Sequence, residues 1–150
     1  MRIEERSPDP KQIREIMEGL SDYFTPKAKK DAQRDLGKGF LGIYDDDNLL
    51  GFIIHEIRDA ECEILWMAVR RDHRGKGLGS GLLDHLESIM KDRKIGTIKV
   101  KTLDDSAGYD PYQKTTRFYE NRGFQKIDFI EEIPEWGPGN PCAVYRKKLT

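Results

Sequence analysis

Cysteine and histidine are sparse in this chain, and neither sign of charge prevails. The 150 residues include only two cysteines, Cys62 and Cys142, too far apart for a zinc-ligand pattern and too few for a disulfide framework. Cys62 lies inside an apolar run, so both are expected to be reduced core thiols, in keeping with a cytoplasmic protein. His55, His73 and His85 are scattered, with no pair at metal-ligand spacing on one face, so no metal is expected. No apolar stretch approaches the ~20 residues of a membrane span, and Met1-Arg-Ile-Glu-Glu-Arg6 lacks the apolar core of a signal peptide. A soluble, unexported chain without a membrane partner is expected. Lysine and arginine total 26 against 27 acidic residues, a net charge of -1, which disfavours nucleic acid as a partner. Apolar residues make up 37% and charged ones 35%, a globular composition. No repeat, linker or low-complexity segment divides the chain, so one domain over 1–150 is expected.

Apolar spacing separates strands, which repeat every two residues, from amphipathic helices, which repeat at three and four. The spacing predicts seven strands and four helices in an α+β arrangement with a central mixed sheet. Arg2 to Arg6 reads as a short strand; Ser7-Pro8-Asp9-Pro10 then breaks and caps before a helix whose buried face is Ile13, Ile16, Met17 and Leu20. A second, mostly polar helix begins at Pro26 and ends before Gly37, lying loosely over its neighbours. Phe40 to Tyr44, Leu49 to Ile57 and Cys62 to Val69 read as three antiparallel strands, the first two joined by a turn at Asp45-Asp46-Asp47-Asn48. Leu78, Leu82, Leu83, Leu86 and Ile89 mark a third helix, Thr97 to Leu103 a strand, residues 112 to 122 a fourth helix, and 124 to 132 and 142 to 149 the last strands. Asp104 to Pro111 reads as an enlarged loop, the kind of segment that sets specificity on a rigid scaffold.

Chemistry concentrates in Val69-Arg-Arg-Asp-His-Arg-Gly-Lys-Gly-Leu-Gly-Ser-Gly-Leu-Leu83. Here an apolar strand ends, bases accumulate, and glycines alternate with other residues at the start of a helix. Glycines let backbone N–H groups converge on a ligand, and the first helical turn has unpaired N–H groups and a partial positive charge, so phosphate oxygens are stabilised there. Arg70, Arg71, Arg74 and Lys76 add charge. Neither the P-loop spacing nor the dinucleotide spacing of glycines is present, which removes the main support for kinase and nicotinamide readings.

The run Arg74-Gly75-Lys76-Gly77-Leu78-Gly79 resembles the Arg/Gln-x-x-Gly-x-Gly/Ala signature of the GNAT acetyltransferase superfamily. Glu63-Ile-Leu-Trp-Met-Ala-Val69 resembles the family's fourth strand, and Thr116-Arg-Phe-Tyr-Glu-Asn-Arg-Gly-Phe124 its tyrosine-bearing helix; the likeness extends over residues 38 to 130. It implies a GNAT fold, with a mostly antiparallel seven-stranded sheet splayed between strands four and five and about four flanking helices. It also implies a cleft for acetyl-coenzyme A. Its pyrophosphate would rest on Arg74, Gly75, Lys76, Gly77, Leu78, Gly79 and Ser80, and its pantetheine would pair with the backbone of Met67, Ala68 and Val69, near Phe118. Tyr112 stands where many members carry an Asn that contacts the pantetheine.

Acetyl transfer to an amine needs a neutral nucleophile, a stabilised oxyanion and a proton for the departing thiolate. The resemblance places Tyr119 beside the sulfur as the proton donor and a backbone N–H near Met67 at the oxyanion. Glu63, four residues before Met67 and on the same strand face by period two, occupies the place where some members keep a catalytic Glu; Glu56, Glu61 and water compete with it as base. Trp66 reads as core, with Met67 toward the cleft. The turn Trp136-Gly-Pro-Gly-Asn-Pro-Cys142 is either a connector or a border of the acceptor site, and Glu131, Glu132 and Glu135 either a solvated edge or an attraction for a cationic amine. Neither cysteine sits in a Cys/His arrangement, so direct transfer is expected. The acceptor is a primary amine on a small molecule, peptide or protein; a non-catalytic acyl-coenzyme A sensor is the alternative, and monomer and homodimer both stay open.

Overall fold

A computed structural model describes residues 1–149. Four helices, α1 (Pro10–Glu18), α2 (Pro26–Arg34), α3 (Leu78–Asp92) and α4 (Asp110–Asn121), accompany seven strands. The strands are β1 (Arg2–Glu4), β2 (Gly39–Asp45), β3 (Asn48–Arg58), β4 (Glu61–Val69), β5 (Thr97–Leu103), β6 (Gln125–Ile130) and β7 (Cys142–Lys148). They form one mixed sheet in the order β1-β2-β3-β4-β5-β7-β6, in which every pairing is antiparallel except that of β4 with β5. The expected sheet and helix number are present. Short 3₁₀ turns at Arg71–His73 and Asp105–Ala107 are additions. The second takes up part of the loop expected over 104–111, and α4 starts two residues earlier than read, with Pro111 in its first turn, where a preset φ suits a helix.

Local chemistry starts the first two helices. Asp9 accepts a hydrogen bond from Lys11 N at 3.0 Å ahead of Pro10 in α1, and Thr25 Oγ1 accepts from Ala28 N at 3.1 Å ahead of Pro26 in α2. The sheet separates two apolar layers. On one side Leu78, Leu82, Leu83, Leu86 and Met90 of α3 pack on Leu41, Ile53, Cys62, Ile64, Ile98 and Val100. Met90 rather than Ile89 completes the buried stripe; Ile89 is only partly covered. On the other side Ile13, Ile16, Met17 and Leu20 pack on Phe40, Tyr44, Phe52 and Ile54. Of α2 only Ala32 is buried, matching the loose cover expected. Leu82 is fully buried, and trimming such a leucine to alanine costs about 2–5 kcal/mol, so α3 is held to the sheet with little freedom to shift.

Candidate active site

The site begins where two parallel strands part. β4 and β5 pair only from Glu61↔Thr97 to Ile64↔Val100. Beyond that point β4 stays with β3, as far as Val69↔Gly51, while β5 continues along β7 through Lys101, Thr102 and Leu103. The β5-facing edge of β4 near Met67, Ala68 and Val69 is left without a strand partner among the described residues.

A bulge changes which way β4 points. Ile54 pairs with Trp66 and His55 with Ile64, so Leu65 has no counterpart on β3. Leu65 and Trp66 both pack on the α1/α2 side, whereas Ile64 and Met67 join the α3 side. The period-two expectation that Glu63 and Met67 share a face is therefore corrected: one extra residue between them puts them on opposite faces. Trp66, expected in the core, is partly buried against it, with its indole N–H donating to Asp35 at 2.8 Å and its ring 6.2 Å from that of Phe24.

Past β4 the chain turns through two left-handed glycines, Gly75 (φ 75) and Gly77 (φ 79). Side chains there would meet nothing within 4 Å, so glycine is required by the backbone conformation and the space beside it is open. Gly77 caps α3 with no side-chain hydrogen bond, unlike Asp9 at α1 and Thr25 at α2; Tyr109 at α4 likewise makes none. The first-turn N–H groups of this 15-residue helix thus take no side-chain cap, with the positive end of the helix dipole behind them. Part of the expected positive charge is used elsewhere. Arg70 donates from Nε to the Leu49 carbonyl at 2.7 Å, and Arg71 pairs with Asp22 and the Gly19 carbonyl. Arg74 remains at the loop, its guanidinium 4.4 Å from the centre of the Tyr23 ring.

A cavity of about 460 Å³ joins the loop to the strand edge. Met67, Ala68, Val69, Arg74, Gly75, Gly77, Leu78, Gly79, Ser80, Phe118 and Tyr119 all line it, so most of the residues singled out in the sequence converge. Lys76, Tyr112 and Glu63 are not among its walls. Tyr119 is buried between Phe118 and Phe124, ring centres 5.2 and 5.3 Å away, and its hydroxyl donates to Met67 Sδ at 3.5 Å. Burial raises its pKa well above the ordinary tyrosine value, so the phenol keeps its proton at any physiological pH.

Tyr112 instead donates to the Tyr23 carbonyl at 2.6 Å, and burial lifts its pKa to about 12. With Tyr109, which donates to the Asp22 carbonyl, it ties the start of α4 to the α1–α2 connection. The three carboxylates considered as bases each have cationic partners. Glu63 lies 3.6 Å from Lys99 and 3.9 Å from Lys101, and Glu56 lies 3.2 Å from Lys38 and 2.6 Å from Arg58. Glu61 accepts from Arg146 Nε at 2.6 Å and from Thr97. Burial acts to raise the pKa of Glu61, but Arg146 and Thr97 outweigh it and hold the carboxyl below its usual range. Trp136 packs with Ile133, Cys142 and Val144 under a turn closed by Asn140 donating to the Trp136 carbonyl at 2.9 Å. Lys27 of α2 reaches the Glu135 carbonyl at 3.1 Å.

Tyr23, His73, Lys114 and Thr115 also border the cavity and were not foreseen. Lys114 and Thr115 stand four residues before Phe118 and Tyr119, so helical spacing from those two would have found them. Tyr23 comes from a distant connection and carries no local signal. Both thiols are buried, with pKa values pushed up by burial to about 12 for Cys62 and about 11 for Cys142, which leaves no thiolate nucleophile. No group of three or more metal-ligating side chains occurs among the described residues, and no described helix is long and apolar enough to cross a membrane.

A family model described as the acetyltransferase (GNAT) family matches residues 5–124. A curated relative, the uncharacterized protein YxbD of Bacillus subtilis (strain 168), is 28% identical over 113 residues, which is 73% of this chain. The match takes in 66% of that relative, just under two thirds of its length. Among solved structures, a GNAT-family protein from Desulfovibrio desulfuricans aligns over 99% of this chain and 98% of its own, with a TM-score of 0.85 and 21% identity. The ribosomal-protein-S18-alanine N-acetyltransferase of Escherichia coli aligns over 99% and 94%, TM-score 0.77, 18% identity. The PaiA N-acetyltransferase of Thermoplasma acidophilum, solved in complex with coenzyme A, aligns over 99% of both chains, TM-score 0.69, 19% identity. At these identities the likeness establishes the fold.

Proposed function

Because the chain belongs to the acetyltransferase (GNAT) family, we propose that it transfers the acetyl group of acetyl-coenzyme A directly to a primary amine on a small molecule, peptide or protein. One observation carries the reading: a single cavity is lined both by the start of α3, which no side chain caps, and by a buried, protonated Tyr119. The T. acidophilum neighbour, crystallised with coenzyme A, supports the choice of carrier. Acetyl-coenzyme A supplies an activated thioester; all else is assigned to this chain.

The amides of Gly77, Leu78, Gly79 and Ser80 bind the diphosphate, and Arg74 compensates its charge. The unpaired edge of β4 at Met67, Ala68 and Val69 receives the pantetheine amides as an added strand, and a main-chain N–H there stabilises the oxyanion. Tyr119 gives its proton to the departing sulfur. The burial that holds the proton on the phenol also disfavours a bare thiolate beside it, so the transfer is matched.

The bulge at Leu65 divides the proton work between the two faces of β4. Tyr119 serves the cavity face, while Glu63 faces the α1/α2 side, from which the amine approaches through the gap between β4 and β5. Glu63 then accepts the ammonium proton through water.

Thiol release measured over a panel of primary amines tests the proposal. Release that depends on an amine, with no acetylated protein intermediate, is expected. Coenzyme A binding without release for any acceptor would show a sensor instead.

A further inference from the structure

We infer that the chain has a second ligand site, for a small organic acid, around His55 at the far end of α3 from the acetyl-transfer cavity. The inference does not depend on the proposed reaction. α3 has 15 residues, so its ends are roughly 22 Å apart.

A separate cavity of about 370 Å³ lies between the segment after β1, the Leu36 to Phe40 segment and the residue that ends α3. This is a volume ordinary for small-molecule sites. His55 lines it. The residue is only 4% exposed, yet neither ring nitrogen has a hydrogen-bond partner among the described residues. Buried polar groups nearly always have partners, and the chain itself supplies none to this imidazole among the described residues. Burial, with help from the charge of Arg93, lowers its pKa; the neutral ring offers one N–H donor and one lone pair. A glycine keeps it there: a Cβ on Gly39 would fall 2.3–2.8 Å from three ring atoms, so any side chain at position 39 would displace the ring.

The rest of the wall selects the ligand. Arg6 is occupied by Glu4 at 2.6 Å, and Lys38 is shared between Asp35 at 3.1 Å and Glu56 at 3.2 Å. Arg93 has one loose contact, Glu5 at 3.6 Å, which leaves most of its five donors for an incoming carboxylate. Pro8, Leu36 and Phe40 supply an apolar surface beside it. A carboxylate on Arg93, toward which the His55 ring turns so that its covered N–H donates, with a compact apolar body against these three residues, satisfies the orphaned donor and covers the apolar wall together. Inorganic phosphate offers the charge without the body, and a neutral amide the body without the charge.

The test uses the full chain with ¹⁵N-labelled histidine, titrated with benzoate, benzamide and inorganic phosphate while the His55 ring signals and the binding heat are followed. Benzoate is expected to saturate a His55 shift in the millimolar range, phosphate to bind more weakly, and benzamide to leave the ring unmoved. Arg93→Gln, at an exposed residue, should lower benzoate affinity roughly tenfold with coenzyme A binding unchanged. Gly39→Ala should abolish benzoate binding by displacing the ring; if it does not fold, Arg93→Gln carries the test alone. A His55 signal indifferent to benzoate, equal binding of benzamide, tighter binding of phosphate, or full benzoate affinity in Arg93→Gln would each overturn the inference.

Discussion

The Tyr119 hydroxyl lies 3.5 Å from the sulfur of Met67, a buried donor resting on one of the weakest acceptors a protein offers. Little is lost when that hydrogen bond is exchanged for one to a developing thiolate, because the phenol is already desolvated and oriented by Phe118 and Phe124. Tyr119→Phe keeps the ring packing and removes the proton. The expected result is a kcat reduced roughly 10²-fold with near-normal affinity for coenzyme A. Steady-state kinetics with calorimetry checks it, and wild-type turnover would remove Tyr119 from the chemistry.

Gly77 belongs to another wall of the same cavity. Its φ of 79 lies in the left-handed region, so Gly77→Ala strains the turn by about 1–2 kcal/mol while leaving the space open. Gly77→Asp adds a negative charge where the diphosphate is assigned. Calorimetry should show weakened coenzyme A binding in the alanine variant and none in the aspartate variant, with the fold intact by circular dichroism. Undiminished binding by Gly77→Asp would place the diphosphate elsewhere.

Glu63 is separated from Met67 by the bulge and lies between Lys99 and Lys101. If it accepts the amine proton through water, Glu63→Gln should lower kcat roughly 10²-fold at neutral pH. The loss should shrink as rising pH supplies neutral amine without its help. A pH–rate series over one good acceptor decides this; a defect independent of pH would mean that Glu63 only organises the lysines.

His55 predicts a stability trend. Its folded pKa is depressed by burial, so the unfolded chain binds the extra proton first. The stability this residue provides is complete above the unfolded value of ~6.5 and declines as pH falls toward the folded one. Urea midpoints should drop from about pH 7.5 to about pH 5 in the parent chain and drop less in His55→Gln. An identical fall in both would assign the trend to other groups.

Much of this was legible in the chain because it depends on neighbours in sequence. Asp9 and Pro26 announce α1 and α2, the leucines at 78, 82, 83 and 86 mark the covered face of α3, and the alternating glycines around its start mark the turn that opens it. The spacing of Thr115 and Tyr119 on one helix face is equally legible. Arg70 and Arg71 show the limit: both read as loop charge, yet partners at Leu49 and Asp22, far away in sequence, draw them off.

The order of residues by itself determined the elements, the family and the glycine turn that opens α3, since caps, periodicity and left-handed glycines act within a few peptide units. Only the tertiary structure decided which face each β4 side chain presents, because one unpaired residue at position 65 inverts everything beyond it, and a bulge has no signature in a strand that is apolar throughout. The fold likewise decided that His55 should be buried beneath Gly39 without a partner among the described residues, since that requires two strands in register and a helix end above them, three segments that meet only when the chain has closed.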